Sequence, residues 1–284
     1  MASMRDIKRR RGSVQSTQQI TKAMKLVSTV KLQRARADAE RSKTYFDTMY
    51  RTVNSILKRA GNIDHRYLKE SESTKKAVIV ITSNRGLAGG YNMNIVKLVA
   101  RDEYLPKEDV YVYAIGNKGK DALAKAGYEI KGDYPEVMEA PNYRDAMDLC
   151  NMLLKAFEDG EIGEIYLAYT AFKNTVSHVP TLRKLLPVEK QDVEEEESTA
   201  LMNFEPQDEE ALDMIIPKYV TSLIYGGLVE ALASENGARM QAMDNATSNA
   251  EEMISDLTLK YNRARQGSIT QELTEIIAGA EAIS

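Results

Sequence analysis

The sequence predicts a long antiparallel two-helix coiled coil, formed by the two ends of the chain, with an α/β domain inserted between them. Three observations carry that fold class. Residues 1–60 contain no proline and all seven prolines lie at or before Pro217, so both ends can run as unbroken helices. Each end repeats small or apolar residues at alternating spacings of three and four: Ile20, Ala23, Val27, Val30 and Ala37, interrupted by Arg34, and then Met243, Ala246, Ala250, Met253 and Leu257. That spacing draws one narrow seam along each helix, and two narrow seams imply a pair. Between the ends the pattern changes to short continuous apolar runs separated by helical stretches, which is the signature of strands covered on both faces.

Charge agrees with the pairing. The first sixty residues carry fifteen Lys/Arg against four Asp/Glu, net +11, whereas residues 207–284 carry five against thirteen, net −8. Each exposed pair contributes only about 0.2 to 1 kcal/mol, so charge favours association without enforcing it. At about 1.5 Å per residue, a helix from the region of Pro217 to Ala280 is expected to run roughly 90 Å.

The first helix (1–60) is expected to end at Gly61-Asn62-Ile63-Asp64, and the polar run to Lys76 reads as a linker. The α/β domain (75–200) opens with the strand Ala77 to Thr82, followed by strands at Val110 to Ile115 and Glu164 to Tyr169. Helical patterns fill the gaps at Asn92 to Tyr104, Lys118 to Ala126 and Tyr143 to Phe157. Strand and helix in alternation give a mostly parallel, Rossmann-like sheet with helices packed on it. A further edge strand is expected from His178 to Leu186, then an acidic loop at Glu194 to Glu197. With its core drawn from one continuous stretch, this domain reads as able to fold alone. Phe204-Glu205-Pro206 closes it, and Asp208-Glu209-Glu210 supplies the acidic first turn of the C-terminal helix (207–284).

Composition excludes several function classes. With 43% hydrophobic and 28% charged residues the chain is of ordinary globular make-up. Its apolar runs fall far short of the roughly 20 residues of a bilayer crossing, so direct membrane insertion is not expected. The start has no apolar signal-peptide core, and residence in a cytoplasm fits best. One cysteine, Cys150, excludes an internal disulfide and reads as a buried structural thiol.

Nucleotide and metal chemistry find little support. Gly86-Leu87-Ala88-Gly89-Gly90 follows the first strand but lacks the G-x-G-x-x-G order. Gly116-Asn117-Lys118-Gly119-Lys120-Asp121 fails as a P-loop, because Ala114 stands where the first glycine belongs and Asp121 where the magnesium-binding hydroxyl belongs. The two histidines, His65 and His178, have no nucleophile or metal-ligand spacing around them. No cofactor, metal or catalytic residue is expected. The basic run Lys8-Arg9-Arg10-Arg11, with Lys22, Lys25, Lys31, Arg34 and Arg36, admits an alternative: a nucleic-acid-binding arm on an inactive α/β domain. Against it, no stacking aromatic precedes Tyr45, and the acidic C-terminal helix would neutralise much of the field.

Longer motifs at the two ends are more specific. Ile7-Lys8-Arg9-Arg10 and Ser16-Thr17-Gln18-Gln19-Ile20-Thr21-Lys22-Ala23-Met24-Lys25-Leu26-Val27 resemble the N-terminal signature of the gamma subunit of F-type ATP synthases. Ala233 to Met243 and Tyr261 to Leu273 resemble its C-terminal signatures, and the order and spacing match over essentially the whole chain.

That resemblance implies a non-catalytic rotor shaft turning inside a hexamer of alternating alpha and beta subunits. It would be joined by the epsilon subunit and stand on the membrane ring of c subunits, peripheral at the cytoplasmic face of a bacterial membrane. It places Lys22, Met24 and Lys25 opposite acidic loops of the beta subunits, and Arg239, Arg265 and Gln266 at polar contacts with hexamer loops. A cation suits a ring of carboxylates, and a forked guanidinium and an amide suit directional, breakable bonds. Two departures stand out. Gly226-Gly227 interrupts the long helix, where each glycine costs up to about 1 kcal/mol against alanine. The cysteine-bearing insertion of the redox-regulated plant form is missing.

Overall fold

The structure, a computed structural model, describes residues 3–59, 65–69, 71–175, 177–188 and 208–281. The expected helix end at Gly61 to Asp64, the acidic run Glu194 to Glu197 and the Phe204-Glu205-Pro206 closure lie outside the described residues. Helix α1 is Met4–Arg59 and α5 is Asp208–Glu281. Between them come β1 (Lys76–Ile81), α2 (Tyr91–Ala100), β2 (Val110–Ile115), α3 (Asn117–Lys125) and β3 (Glu129–Asp133). Next are a 3-10 turn (Pro135–Met138), α4 (Tyr143–Glu158), β4 (Glu164–Phe172) and β5 (His178–Leu186).

The chain divides into two compact units, Met1–Ser28 with Arg239–Ser284, and Thr29–Ala238. The second holds a five-stranded sheet in the order β3-β2-β1-β4-β5, parallel except for the antiparallel edge strand β5. Period-two alternation along β1 divides its side chains between two cores. Val78 and Val80 face Ile95, Val96 and Val99 of α2 and Leu123 of α3. Ala77, Ile79 and Ile81 face the other way, into a core shared with Leu149, Leu153 and Phe157 of α4.

That second core is completed from the chain's end. Leu212, Ile216, Val220, Ile224, Leu228 and Ala231 of α5 are buried in it, together with Val53 of α1. The first thirty residues of α5 are thus a covering helix of the sheet, and the compact unit is larger than the 75–200 segment read from the sequence. The Gly226-Gly227 departure belongs to this packing. A Cβ on Gly227 would stand 2.9 Å from Leu167 Cδ2, so the glycine lets α5 lie close on β4. Pro217 sits inside the helix, and its carbonyl accepts from the Thr221 hydroxyl at 2.7 Å.

Two sequence-level details change. Strand β3 was not foreseen, and β5, expected as a strand or edge segment, is an antiparallel edge. Glu129, Lys131 and Asp133 are exposed and alternate with half-buried residues, so an edge strand with one wet face produces no apolar run.

Candidate functional site: the outward face of the terminal helices

In the first unit α1 and α5 are antiparallel, as a ladder of cross-helix contacts shows. Arg11 lies 5.5 Å from the Tyr261 ring centroid, Gln18 donates to Glu251 Oε1 at 3.0 Å, and the Thr21 and Thr247 hydroxyls bond at 2.8 Å. Lys25 Nζ donates to Asp244 Oδ1 at 2.6 Å, so partner numbers fall along α5 as they rise along α1. On α1 the positions Met4, Ile7, Arg11, Val14, Gln18, Thr21, Lys25 and Ser28 are withdrawn from solvent in three/four alternation, which Leu32 and Ala35 continue, with Met24 and Thr29 half-buried beside them. On α5 they are Met243, Thr247, Ala250, Ile254, Leu257, Tyr261, Ala264 and Ser268.

This corrects the seam read on α1. Ile20, Val27 and Val30 are 60%, 57% and 48% exposed, and Ala23 and Ala37 are exposed too. They keep the right period but are offset by one or two residues, a rotation of roughly 150° at about 100° per residue. The apolar stripe therefore points away from α5, while the seam mixes apolar residues such as Ile7, Val14, Met243, Ile254 and Leu257 with polar groups that bond across it. On α5 the reading fares better, with Met243, Ala250 and Leu257 buried, but Ala246 is only half-buried and Met253 is 43% exposed; Thr247 and Ile254 take the seam. Further along α5, Ile269, Leu273, Ile276 and Ile277 are also about half or more exposed.

The residues singled out from the resemblance scatter over this surface. Lys22 is exposed and Met24 half-buried. Lys25 is held by Asp244, an exposed pair contributing about 0.2 to 1 kcal/mol, which still leaves it breakable. Arg239 is half-buried, whereas Arg265 and Gln266 are exposed one turn beyond Tyr261. Several cations of the basic stretch are already engaged: Arg9 with Asp6, Arg11 with Tyr261 and Lys25 with Asp244.

The glycine turn after β2 is filled by groups from the end of β1 and the loop after it. At the start of α3, the amide of Asn117 donates to Asn84 Oδ1 (3.2 Å), that of Lys118 to the Ser83 carbonyl (3.1 Å) and that of Gly119 to Thr82 Oγ1 (2.8 Å). Three amides that would cradle a phosphate are thereby occupied. Gly116, at φ +102, approaches so closely that a Cβ would lie 2.1 Å from the Thr82 carbonyl oxygen. Cys150 is fully buried, donates weakly to the Pro217 carbonyl at 3.6 Å, and burial pushes its thiol up to about 11. Nearby, Arg66 joins Asp213 of α5 (2.9 Å) to Glu158 of α4 (3.2 Å), and His65 Nε2 meets the same Asp213 at 3.0 Å.

In the second unit, one residue of the turn after β1 escaped the sequence reading. Leu87 has φ +64, a left-handed backbone that disfavours a side chain, and its side chain is 63% exposed. The loop is braced at its base, where Ser83 and Asn92 exchange hydrogen bonds and Ala88 is buried, so the strained conformation is imposed. A leucine that bears backbone strain and meets solvent gains nothing within its own chain. The only sequence signal was its place in a glycine-rich turn.

Comparison with known proteins places this geometry. The ATP synthase family model matches residues 3–283. An ATP synthase gamma chain of Lachnoclostridium phytofermentans is 66% identical over 292 residues, covering all of both chains. The chain belongs to the ATP synthase gamma-chain family. A second member, the Acetobacterium woodii gamma chain described as sodium ion specific, is 40% identical and covers 99% of each chain. Among solved structures, the rotor of Euglena gracilis mitochondrial ATP synthase aligns with 94% of this gamma-family chain and 98% of its own, at TM-score 0.68 and 18% identity. The central stalk and c-ring structure from Tetrahymena thermophila aligns at TM-score 0.61 and 24% identity, covering 80% of this chain and 99% of that one. At those identities the likeness supports the fold.

Proposed function

We propose that the chain is the central rotor shaft of an F-type ATP synthase and carries no active site of its own. It transmits rotation between an ion-driven c-subunit ring, at the cytoplasmic face of a bacterial membrane, and ATP chemistry in the alpha/beta hexamer, with epsilon as a further partner. The full-length relation to gamma chains carries this reading. The physical surface suits it: a shaft needs a self-contained seam inside and a face outside that meets other subunits. The stripe of Ile20, Val27 and Val30 supplies apolar contact, Lys22 and Lys25 supply charge, and Arg265 and Gln266 supply breakable hydrogen bonds.

Single-molecule rotation tests the proposal. Cys150 is buried, so a Tyr104→Cys thiol at a position 75% exposed in the parent can be labelled selectively. Purification of the labelled complex should bring alpha, beta and epsilon with it, and the probe should turn in one direction on adding ATP. A stationary probe on a complex that hydrolyses ATP would overturn the rotor reading.

A further inference from the structure

His178 opens β5 and sits opposite Phe172 of β4, their ring centroids 6.0 Å apart. Its ring lies hard against α5, since a Cβ on Gly237 would stand 2.7 Å from His178 Cε1. Both ring nitrogens are withdrawn from solvent without a hydrogen-bond partner, and so is the Thr170 hydroxyl on the same face of β4. Around them the hairpin and helix are tied by Ser234 Oγ donating to the Thr170 carbonyl (3.1 Å) and the Phe172 amide donating to Glu230 Oε2 (3.3 Å). A neutral imidazole tolerates this site, whereas an imidazolium would bury two donors with nothing but the Thr175 backbone to answer them.

We propose that His178 is an acid-sensitive latch: as a neutral ring it holds the β4–β5 hairpin against α5 at Gly237, and on protonation it releases that contact. The charged groups on the elements packed there are Glu230 and Glu235 of α5, Lys173 after β4, and Arg183 and Lys184 of β5. None makes a hydrogen bond to the ring. Burial pulls the imidazole below its ordinary value, opposed by the Thr175 backbone. The sign follows. Above about pH 6.5 the ring is neutral folded or unfolded and nothing is lost; below it the open form takes up the proton first, so closure weakens until the depressed folded pKa is passed. Glu230 acts oppositely, because burial raises its carboxyl and acid therefore favours its packed state. Release must then be traced to the histidine itself. The latch closes two residues before Arg239, and its release would free the stretch of α5 around Ser234 and Gly237 from the sheet.

The full chain tests it directly, because it contains only two histidines. In imidazole NMR, the resonance that vanishes in His178→Gln should titrate below about 6.5; a midpoint at or above that value overturns the latch. Hydrogen exchange over 168–184 and 228–240, corrected for intrinsic rates, should show protection falling about tenfold between pH 7 and 5, the equivalent of one pKa unit. The fall should be lost in His178→Gln and in His178→Phe, neither of which titrates. Equal falls in parent and variants overturn the proposal.

Discussion

Two glycines, each closely packed, illustrate how backbone and neighbours together set the cost of a methyl group. At Gly116 an added Cβ meets a backbone oxygen at 2.1 Å, and φ +102 is wrong for alanine, so neither partner can yield. Gly116→Ala is expected to lose more than about 3 kcal/mol in urea unfolding. Gly227 lies in a helix and its nearest obstacle is a leucine methyl at 2.9 Å, which can turn aside. Gly227→Ala recovers up to about 1 kcal/mol of helix propensity against that crowding, and its stability should fall within about 1 kcal/mol of the parent. Cys150, buried with its thiol pushed up to about 11, should resist a disulfide reagent at pH 8 until the chain is denatured; rapid labelling of the folded chain would contradict its packing. The sequence disclosed this cysteine correctly from its apolar surroundings, but it could not disclose Leu87, whose significance is a dihedral angle.

Among the elements, α5 does most to separate what the sequence reveals from what it conceals. The continuous apolar strands β1, β2 and β4 were legible because burial on both faces leaves no polar alternation. What covers their faces was not legible, because α5 is remote in sequence and its covering residues resemble any amphipathic stripe. The same limit produced the rotated seam on α1. The packing yields a prediction about fragments. Residues 75–200 alone leave Ile79, Ile81 and Leu167 without Ile216, Val220 and Ile224, so a cooperative thermal transition is not expected. Coexpressed pieces covering Thr29–Glu158 and Glu161–Ala238 should instead associate and melt together, because both faces of the sheet are then covered.

At the scale of the molecule, the expected consequence of Met24 follows from its half-buried place beside the Lys25–Asp244 pair on α1. On the proposed placement of Met24 at the bearing, a thioether offers contact without charge, so its attraction to passing carboxylates is weak and similar around a turn. Met24→Lys adds a second cation next to Lys25. An effective dielectric near 20 gives about 4 kcal/mol for such a pair at 4 Å before desolvation is subtracted. A net of about 1.4 kcal/mol, absent from the transition state, slows escape about tenfold. We expect Met24→Lys to fold and assemble yet pump fewer ions per ATP, with coupling restored when the facing carboxylates are neutralised. Hydrolysis and ATP-driven pumping measured together on the reconstituted complex decide it, and unchanged pumping per ATP removes Met24 from the bearing.

The pairing of the terminal helices has a further consequence for how the chain is made. A helix pair that turns its hydroxyls inward, ties its edges with an amide and an ion pair, and leaves isoleucine and valines outward is finished as a fold but unfinished as a surface. During biogenesis such a chain is competent to fold before its neighbours arrive, yet it waits with adhesive flanks. On the proposed rotor reading, its supply in the cell has to keep step with that of the subunits meeting this stripe, and an excess is expected to clump first.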